Sequence, residues 1–255
     1  MKKYLVVGNW KENKTVAEAR DWFSIFWHEP FGIESTEVVI CPPFTTLPTL
    51  RELAQDTPLK LGAQDVSQYE KGTYTGEVSA AMLMGLADYA LIGHSERRRF
   101  FGEGNLEVSQ KVRQALNCRI VPIVCISDKV DERGIALLEG EYNEQTFLDQ
   151  INQVFSGLSE DEKSQIIFGY EPPSAISKQT EGGPKGEAAS ADSVEKMVKK
   201  IKEVAPRNRV IYGGSVKSSN VVDFCKMELL DGVLPGSASL DPQEFRKMIL
   251  AVEQN

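Results

Sequence analysis

The sequence has only four cysteines, and none of them is spaced for a shared chemical role. Cys41, Cys118, Cys125 and Cys225 are scattered along the chain, with no C-x-x-C pair among them. This scatter argues against a disulfide framework and against a zinc site. It is typical of a protein kept in a reducing compartment such as the cytoplasm.

Long hydrophobic runs are also missing. The amino-terminal stretch MKKYLVVGNWK contains an apolar run of only four residues, Tyr4–Val7, which is too short for the core of a signal peptide. No segment approaches the roughly 20 apolar residues of a membrane-spanning helix. The sequence therefore predicts a cytoplasmic protein with no membrane partner.

Positive charge is in deficit, with 29 Lys and Arg residues against 37 Asp and Glu residues and a formal net charge of -8. An acidic chain without a basic block does not offer the extended surface that nucleic acid requires. An anionic substrate would therefore need positive charge that is concentrated locally. The sequence also lacks a P-loop, and no G-x-G-x-x-G follows its first predicted strand.

What the sequence does contain is a series of short runs rich in β-branched residues. Most of them are apolar almost throughout rather than alternating, which indicates strands buried on both faces, as in a parallel sheet. The eight runs are Tyr4–Gly8, Glu37–Cys41, Leu59–Ala63, Tyr89–Gly93, Ile120–Ile126, Gln165–Tyr170, Arg209–Gly214 and Asp231–Gly236.

Helical patterns lie between these runs. Apolar residues at steps of three and four predict a helix over Val16–Phe26. The last helix has a start signal, with Asp241 as its cap, Pro242 at the first helical position and Glu244 completing a pattern like a capping box. The segment Asp131–Gly157 is predicted to be a longer helical stretch, as one helix or two.

About eight alternations of strand and helix in 255 residues predict an α/β fold, a (β/α)8 barrel of eight parallel strands with outer helices. The competing fold is an open, doubly wound sheet. Its first strand would be expected to end in a glycine-rich dinucleotide motif, whereas this one ends in VGNWKENK. No linker divides the chain, so we expect a single domain over residues 1–255.

Polar residues collect at the ends of the predicted strands, where barrel enzymes carry their catalytic groups. Each residue alone has an ordinary explanation, because a lysine there is usually solvated and a glutamate before proline is usually a strand end. Their coincidence at one rim favours a site instead. The candidates are Asn9, Lys11, His94, Ser95, Glu96, Arg97, Glu171, Gly213, Gly214, Ser215, Gly236 and Ser237.

This set suits the abstraction of a proton beside the carbonyl of a phosphorylated substrate. A carboxylate takes the carbon-bound proton, and the developing enediolate needs hydrogen-bond donors at its oxygens. A cation offsets the negative charge, and backbone N–H groups at glycine-rich turns hold phosphate. The turns Gly213–Ser215 and Gly236–Ser237 are suited to that task, since a phosphate site after the seventh and eighth strands recurs in barrels.

Several stretches closely resemble the triosephosphate isomerase family, from the first strand to the last helix. GNWK resembles the first-strand signature of that family, and IGHSERR with the following FGE resembles its fourth-strand motif. YGGSV is similar to its phosphate turn and KGTYTGEVS to its protruding third loop, while GAQDVS and PIVCI fit as well. The resemblance implies a TIM barrel and a homodimeric isomerase of glycolysis and gluconeogenesis that needs no metal or organic cofactor.

The resemblance also implies a role for each matching residue. Glu171 is the base that moves a proton between two substrate carbons, and His94 polarises the substrate oxygens as a neutral imidazole. Lys11 supplies positive charge, while Asn9 hydrogen-bonds the substrate and orients Lys11. Glu96 holds Lys11 before the substrate arrives.

The phosphate and the second subunit involve further residues. The resemblance implies that Ser177, Ser215, Gly236 and Ser237 contact the substrate. It also implies that Thr75, in the loop 71–79, reaches the active site of a partner subunit, which makes a second copy of the chain the expected partner.

The stretch after Glu171 departs from the family. It reads PPSAISKQTEGGPKGEAAS where the family reads close to PVWAIGTGKTAT, so Ser174 replaces a tryptophan, Ser177 replaces a glycine, and the loop is longer. In the eighth loop, LPG with Pro235 stands where the family has VGG, and Ser237 follows. Backbone N–H groups do not depend on the side chain, so we expect both serines to donate to phosphate where their backbone conformation permits.

Three functions are open at this point. The first is the interconversion of dihydroxyacetone phosphate and D-glyceraldehyde 3-phosphate through a cis-enediolate. The altered sixth loop suggests the second, an isomerase of another phosphosugar. The third is a catalytically idle, phosphate-binding barrel, against which the complete set of Glu171, His94 and Lys11 argues.

Overall fold

Eight parallel strands close into a barrel in the order β1 to β8. The structure is a computed structural model, and it describes residues 3–29, 31–137, 141–173 and 189–255. The strands are β1 (Tyr4–Asn9), β2 (Thr36–Cys41), β3 (Lys60–Ala63), β4 (Tyr89–Ile92), β5 (Val121–Ile126), β6 (Ile167–Tyr170), β7 (Arg209–Tyr212) and β8 (Gly232–Val233).

Helices surround the barrel. In the described ranges they are α1 (Val16–Phe26), α2 (Leu47–Leu53), α3 (Ala80–Leu83), α4 (Ser95–Phe101), α5 (Asn105–Asn117), α6 (Glu144–Phe155), α7 (Glu160–Ser164), α8 (Ala191–Val204), α9 (Val221–Cys225) and α10 (Pro242–Glu253). Short 3-10 turns cover Phe44–Thr46 and Ser237–Ser239. The predicted barrel is confirmed.

The apolar runs form strands that are buried on both faces. Alternate strand residues, such as Leu5 and Val7, point into the barrel, while Val6 between them packs against the helices. This explains why the runs lack polar alternation. The residues that fill the barrel interior are Leu5, Val7, Val39, Cys41, Tyr89, Leu91, Ile123, Cys125, Ile167, Ile211 and Leu234.

The start of α10 matches its sequence signal only in part. The Asp241 side chain accepts hydrogen bonds from the N–H groups of Gln243 and Glu244, and Pro242 is the first helical residue. The prediction that Glu244 completes a capping box is wrong. Its carboxylate instead accepts from the backbone N–H and the hydroxyl of Ser218, at 2.8 and 3.0 Å.

The segment Asp131–Gly157 is less helical than its sequence predicts. Among the residues of this segment that the structure describes, only α6 is helical, and residues before it make a tight turn closed by an antiparallel bridge between Val130 and Ala136. The Asp131 side chain accepts backbone N–H groups inside that turn, and Gly134 has a left-handed backbone with φ +82°. These local bonds compete with the helix.

The end of the barrel opposite the candidate residues is closed by a polar cluster. Glu37 accepts a hydrogen bond from the Tyr89 hydroxyl at 2.5 Å and one from Arg209 at 2.8 Å. All three residues lie at the amino-terminal ends of their strands. Burial would raise the pKa of Glu37, but the Tyr89 hydroxyl and the Arg209 guanidinium outweigh it and hold the pKa below its ordinary value.

We expect Glu37→Gln to lower the free energy of unfolding by about 1 kcal/mol at pH 7, because the carboxylate is partly exposed and therefore partly screened by water. A carboxyl with a lowered pKa in the folded state stabilises the fold above its unfolded pKa of about 4.3 and loses that effect as pH falls. Urea unfolding should therefore show the difference from wild type shrinking below pH 4.5. Glu34→Gln, at an exposed position, is the control. If the difference in unfolding free energy between Glu37→Gln and wild type stayed constant with pH, the lowered pKa of Glu37 would be contradicted.

Candidate active site

The candidate side chains come from the carboxyl ends of several strands, which lie at one rim because the strands are parallel. Asn9 is the last residue of β1, and Lys11 follows it by two positions. His94 follows β4 by two positions, and Glu171 directly follows β6. The contacts described below bring these four residues together.

Lys11 is held between neighbouring polar groups. Its backbone is left-handed, with φ +52°, and its N–H donates to the side-chain oxygen of Asn9 at 3.0 Å. Its ammonium group donates to the carboxylate of Glu96 at 2.5 Å. Asn9 is buried, and its own N–H donates to the carbonyl oxygen of Pro235.

His94 caps the amino terminus of α4. Its Nδ1 accepts the backbone N–H of Glu96 at 3.3 Å, and its Nε2 lies 3.0 Å from Oε1 of Glu171. A neutral ring with its proton on Nε2 satisfies both contacts, whereas a proton on Nδ1 would face the N–H of Glu96. The contacts therefore assign the tautomer that donates from Nε2.

Glu171 is almost fully buried, with 3% of its surface exposed. Its Oε2 accepts the backbone N–H of Ser95 at 2.9 Å, while Oε1 meets His94. A side chain at Gly213 would come within 2.9 Å of the Glu171 Cγ, so the glycine after β7 leaves room for the carboxylate. The Ser95 N–H, His94 and the close backbone of Gly213 thus fix the position of the Glu171 carboxylate.

The charges of Glu171 and His94 depend on each other. Burial would raise the pKa of Glu171, but His94, the Ser95 N–H and Lys11 together hold it below its ordinary value, which favours the carboxylate. Burial would lower the pKa of His94, but the adjacent Glu171 carboxylate outweighs it and raises the pKa. If Glu171 moves away from Nε2, the main cause that raises the pKa of His94 disappears.

Two turns flank these groups. A side chain at Gly214 would lie 2.2 Å from the Tyr212 hydroxyl, so the first turn, Gly213–Ser215, needs glycine there. In the second turn, a side chain at Gly236 would lie 3.5 Å from Cε of Lys11, so this turn adjoins the lysine. Ser237 is exposed and begins a 3-10 turn.

Two predicted residues are not brought to this rim by the described part of the structure. Ser177 lies outside the described residues. Thr75 belongs to the exposed segment 69–77, in which the rings of Tyr69 and Tyr74 stack with their centroids 3.6 Å apart. No hydrogen bond or ion pair joins Thr75 to the other candidates within the described ranges of this single chain.

Arg98 supports the turn that carries His94, and the sequence does not single it out from the neighbouring arginines. Its fully buried guanidinium donates to the carbonyls of Gly93 and Gly134 and to the side chain of Asn105, at 2.8 to 2.9 Å. Burial lowers the pKa of Arg98 to about 10. Gly93 has φ +66°, and a side chain there would lie 3.1 Å from this guanidinium, so only glycine fits easily.

Two further properties concern cofactors and membranes. Among the described residues, no group of three or more His, Cys, Asp or Glu side chains is arranged to hold a metal ion. Within those same ranges, no helix is both long enough and apolar enough to cross a bilayer.

Comparison with known proteins gives the family. The family model described as "Triosephosphate isomerase" matches residues 4–252. The chain belongs to the triosephosphate isomerase family. It is 38% identical over 252 residues to the triosephosphate isomerase of Dictyoglomus turgidum, covering 96% of this chain and 98% of that one. It is 36% identical over 250 residues to that of Aquifex aeolicus, again covering 96% and 98% of the two chains.

Membership of the triosephosphate isomerase family confirms the interconversion named in the first of the three functions considered from the sequence. The chain is an aldose–ketose isomerase that interconverts dihydroxyacetone phosphate and D-glyceraldehyde 3-phosphate. A third relative, the triosephosphate isomerase of Symbiobacterium thermophilum, is 36% identical over 257 residues and covers all of this chain and 98% of its own.

Proposed function

We propose that Glu171 is the base of this isomerase and that His94 is its electrophile. The observation that carries this proposal is the 3.0 Å contact between Oε1 of Glu171 and Nε2 of His94 at the strand-end rim. A buried carboxylate with a lowered pKa is ready to accept a proton, and a neutral imidazole that donates from Nε2 is ready to polarise an oxygen.

The reaction then runs in balanced steps. Glu171 takes a proton from C1 of dihydroxyacetone phosphate, the C–H electron pair forms a C1–C2 double bond, and the C2 carbonyl oxygen becomes anionic. His94 donates its Nε2 proton to that oxygen and accepts the proton of the C1 hydroxyl in return. Glu171 delivers its proton to C2, which leaves an aldehyde at C1. Base, imidazole and substrate end in their starting protonation states.

Lys11 and its neighbours account for charge in this scheme. The ammonium group, which is paired with Glu96, offsets the charges of the phosphate and the enediolate. The side-chain oxygen of Asn9 accepts the Lys11 backbone N–H. The side-chain NH2 group of Asn9 can therefore be directed at the substrate. Glu96 keeps Lys11 in place until an anion arrives.

The phosphate is assigned to the turns after β7 and β8. Backbone N–H groups of Ser215, Gly236 and Ser237 are suited to hold it, because turns of this kind present several donors to one anion. The closeness of Gly236 to Lys11 supports this assignment. Ser177 is proposed as a further donor from the part of the chain outside the described residues.

Binding of an enediolate analogue tests this assignment. A phosphorylated hydroxamate carries both the phosphate and an enediolate-like pair of oxygens. We expect it to bind wild type at least 10²-fold more tightly than inorganic phosphate in calorimetry, since analogues of high-energy intermediates exploit catalytic contacts. His94→Gln should lose most of this preference but keep phosphate binding. Equal preference in both proteins would contradict the role of His94.

The exposed segment 69–77 supports a proposal of homodimerisation through the loop 71–79, with Thr75 reaching the partner's site. We expect Thr75→Arg to weaken the dimer in analytical ultracentrifugation and to lower specific activity by about tenfold, more at high dilution. Ser24→Arg adds the same charge at an exposed position of α1 and should do neither. A monomeric wild type with full activity would contradict the proposal.

The remaining assignments concern the chain as a whole. We propose that residues 1–255 form one domain, that the protein works in the cytoplasm, and that catalysis uses no metal or organic cofactor. The scattered cysteines support the reducing compartment. The acid–base scheme supports catalysis without a cofactor, because each proton has a donor and an acceptor among the side chains and the substrate.

A further inference from the structure

The segment 69–77 stands away from the body of the chain. Its neck is closed where the backbone N–H of Ser67 donates to the carbonyl oxygen of Val78 at 2.8 Å. Every residue of the segment is exposed, and a cavity of about 370 Å³ is lined by residues of both this segment and α3. The shape of the segment therefore depends on contacts within it rather than on packing in the core.

Hydrogen bonds supply little of this support. The N–H of Glu77 donates to the carbonyl oxygen of Tyr74 at 3.0 Å, which closes a tight turn with Gly76 at φ +96°. Residues 70–73 make no hydrogen bond to any other residue that the structure describes. The turn at the tip is thus defined, whereas the stretch that leads up to it has no backbone bonds of its own.

A pair of stacked rings spans this unsupported stretch. Tyr69 lies at its start and Tyr74 at its end, and their ring centroids are 3.6 Å apart with the ring planes 1° from parallel. Gly72, between them, has φ +136°, and a side chain there would come within 3.2 Å of the Tyr74 ring. Glycine at this position therefore lets the chain fold back so that the two rings can meet.

The stack also determines where Thr75 lies. Thr75 directly follows Tyr74 and is the second residue of the tight turn, so its position depends on how Tyr74 is held. Aromatic pairs contribute stabilisation beyond the area that they bury. A loop that already has its bound conformation loses less conformational freedom when two molecules associate.

We infer that Tyr69 is a positioning residue for self-association, because its stack on Tyr74 presets the tip of the loop 71–79 for a second copy of this chain. This inference rests on the proposed homodimerisation through that loop. The ring of Tyr69 supplies the effect, and its hydroxyl is not needed. Tyr69 acts on the dimer through Tyr74 rather than through a contact of its own with the partner.

Proteolysis of the single subunit tests the preset shape without any dimer. In Thr75→Arg, diluted until it sediments as a monomer, adding Tyr69→Ser should speed cleavage after Glu70 by a glutamate-specific protease about fivefold, the factor that one aromatic pair supplies. Each rate is divided by that of the matching free peptide, which removes any sequence preference of the protease. Tyr69→Phe keeps the stack and should leave the rate unchanged. Equal rates for Tyr69→Ser and Tyr69→Phe would overturn the inference.

A double-mutant cycle tests the effect on the dimer. Tyr69→Ser should raise the dimer dissociation constant in analytical ultracentrifugation about 25-fold, fivefold for each of the two loops of a twofold-symmetric dimer. In a Tyr74→Leu background, where no second ring remains, it should change the constant by less than about twofold. Tyr142→Ser removes a tyrosine that is exposed to almost the same extent elsewhere, and it should leave the constant unchanged.

The outcomes separate the inference from the homodimer on which it rests. If Tyr69→Ser weakens the dimer equally in both backgrounds, its ring contacts the partner directly and the positioning role is overturned. An unchanged dissociation constant for Tyr69→Ser overturns the inference and leaves the homodimer untouched. A wild type that is monomeric with full activity overturns the homodimer and the inference with it. Faster cleavage of the monomer, with a loss of affinity that vanishes in Tyr74→Leu, supports both.

Discussion

Glu171→Gln is expected to lower kcat by about 10³- to 10⁴-fold, toward the upper end of the usual contribution of a general base. The amide has nearly the shape of the carboxylate but cannot take a proton from carbon. Glu171→Asp keeps the carboxylate and draws it back by about 1 Å, so we expect an intermediate loss of about a hundredfold. Steady-state assays in both directions measure these losses, which should be equal in the two directions for a shared base.

The phosphate contacts of Glu171→Gln should remain, because the carboxylate meets His94 and Ser95 rather than either turn. Inorganic phosphate should therefore inhibit Glu171→Gln and wild type at similar concentrations. If Glu171→Asp and Glu171→Gln both kept wild-type kcat, another group would be the base and the proposed mechanism would be wrong.

Lys11→Met is expected to lower kcat/KM by about 10²- to 10³-fold, the cost of removing one group that stabilises transition-state charge. The loss should appear in both KM and kcat. KM should rise because the substrate is anionic, and kcat should fall because the enediolate carries a further negative charge. The release of Glu96 from its partner should add to the loss by leaving a carboxylate near the substrate.

Lys14→Met separates this effect from a change in net charge. Lys14 also has a left-handed backbone and lies three positions from Lys11, but its ammonium group lies over the Trp10 ring. Both variants lose one positive charge, yet only Lys11→Met should change kcat. Equal losses of kcat/KM that disappear at high salt would instead indicate general attraction of the anionic substrate.

The strands, and the collection of the candidate residues at one rim, were predictable because each rests on a local pattern. A run such as the one forming β1 is apolar on both faces since the interior and the helices both pack against it. Asn9, Lys11, His94 and Glu171 lie at the ends of such runs or within two residues of them, and parallel strands bring their ends together. The local sequence is therefore sufficient to predict which residues meet at the rim, because the barrel places all eight strand ends on one face.

Features that depend on distant partners could not be predicted in this way. Glu244 has the spacing of a capping residue, but its carboxylate accepts a hydrogen bond from Ser218, 26 positions earlier, instead of capping the helix. Arg98 lies in the IGHSERR stretch, but nothing local distinguishes it from Arg97, because its distinctive features are its burial and its bond to the backbone of Gly134. Only the folded chain brings those acceptors within reach.

The exchange of substrate hydrogen with solvent tests the central claim most directly, because it reports proton removal from carbon rather than net turnover. Wild type incubated with dihydroxyacetone phosphate in D2O should place deuterium at C1, as followed by proton NMR. Glu171→Gln at the same concentration should incorporate it at least about 10³-fold more slowly. Wild-type exchange in Glu171→Gln, or turnover by wild type with no deuterium in substrate or product, would contradict proton transfer through Glu171.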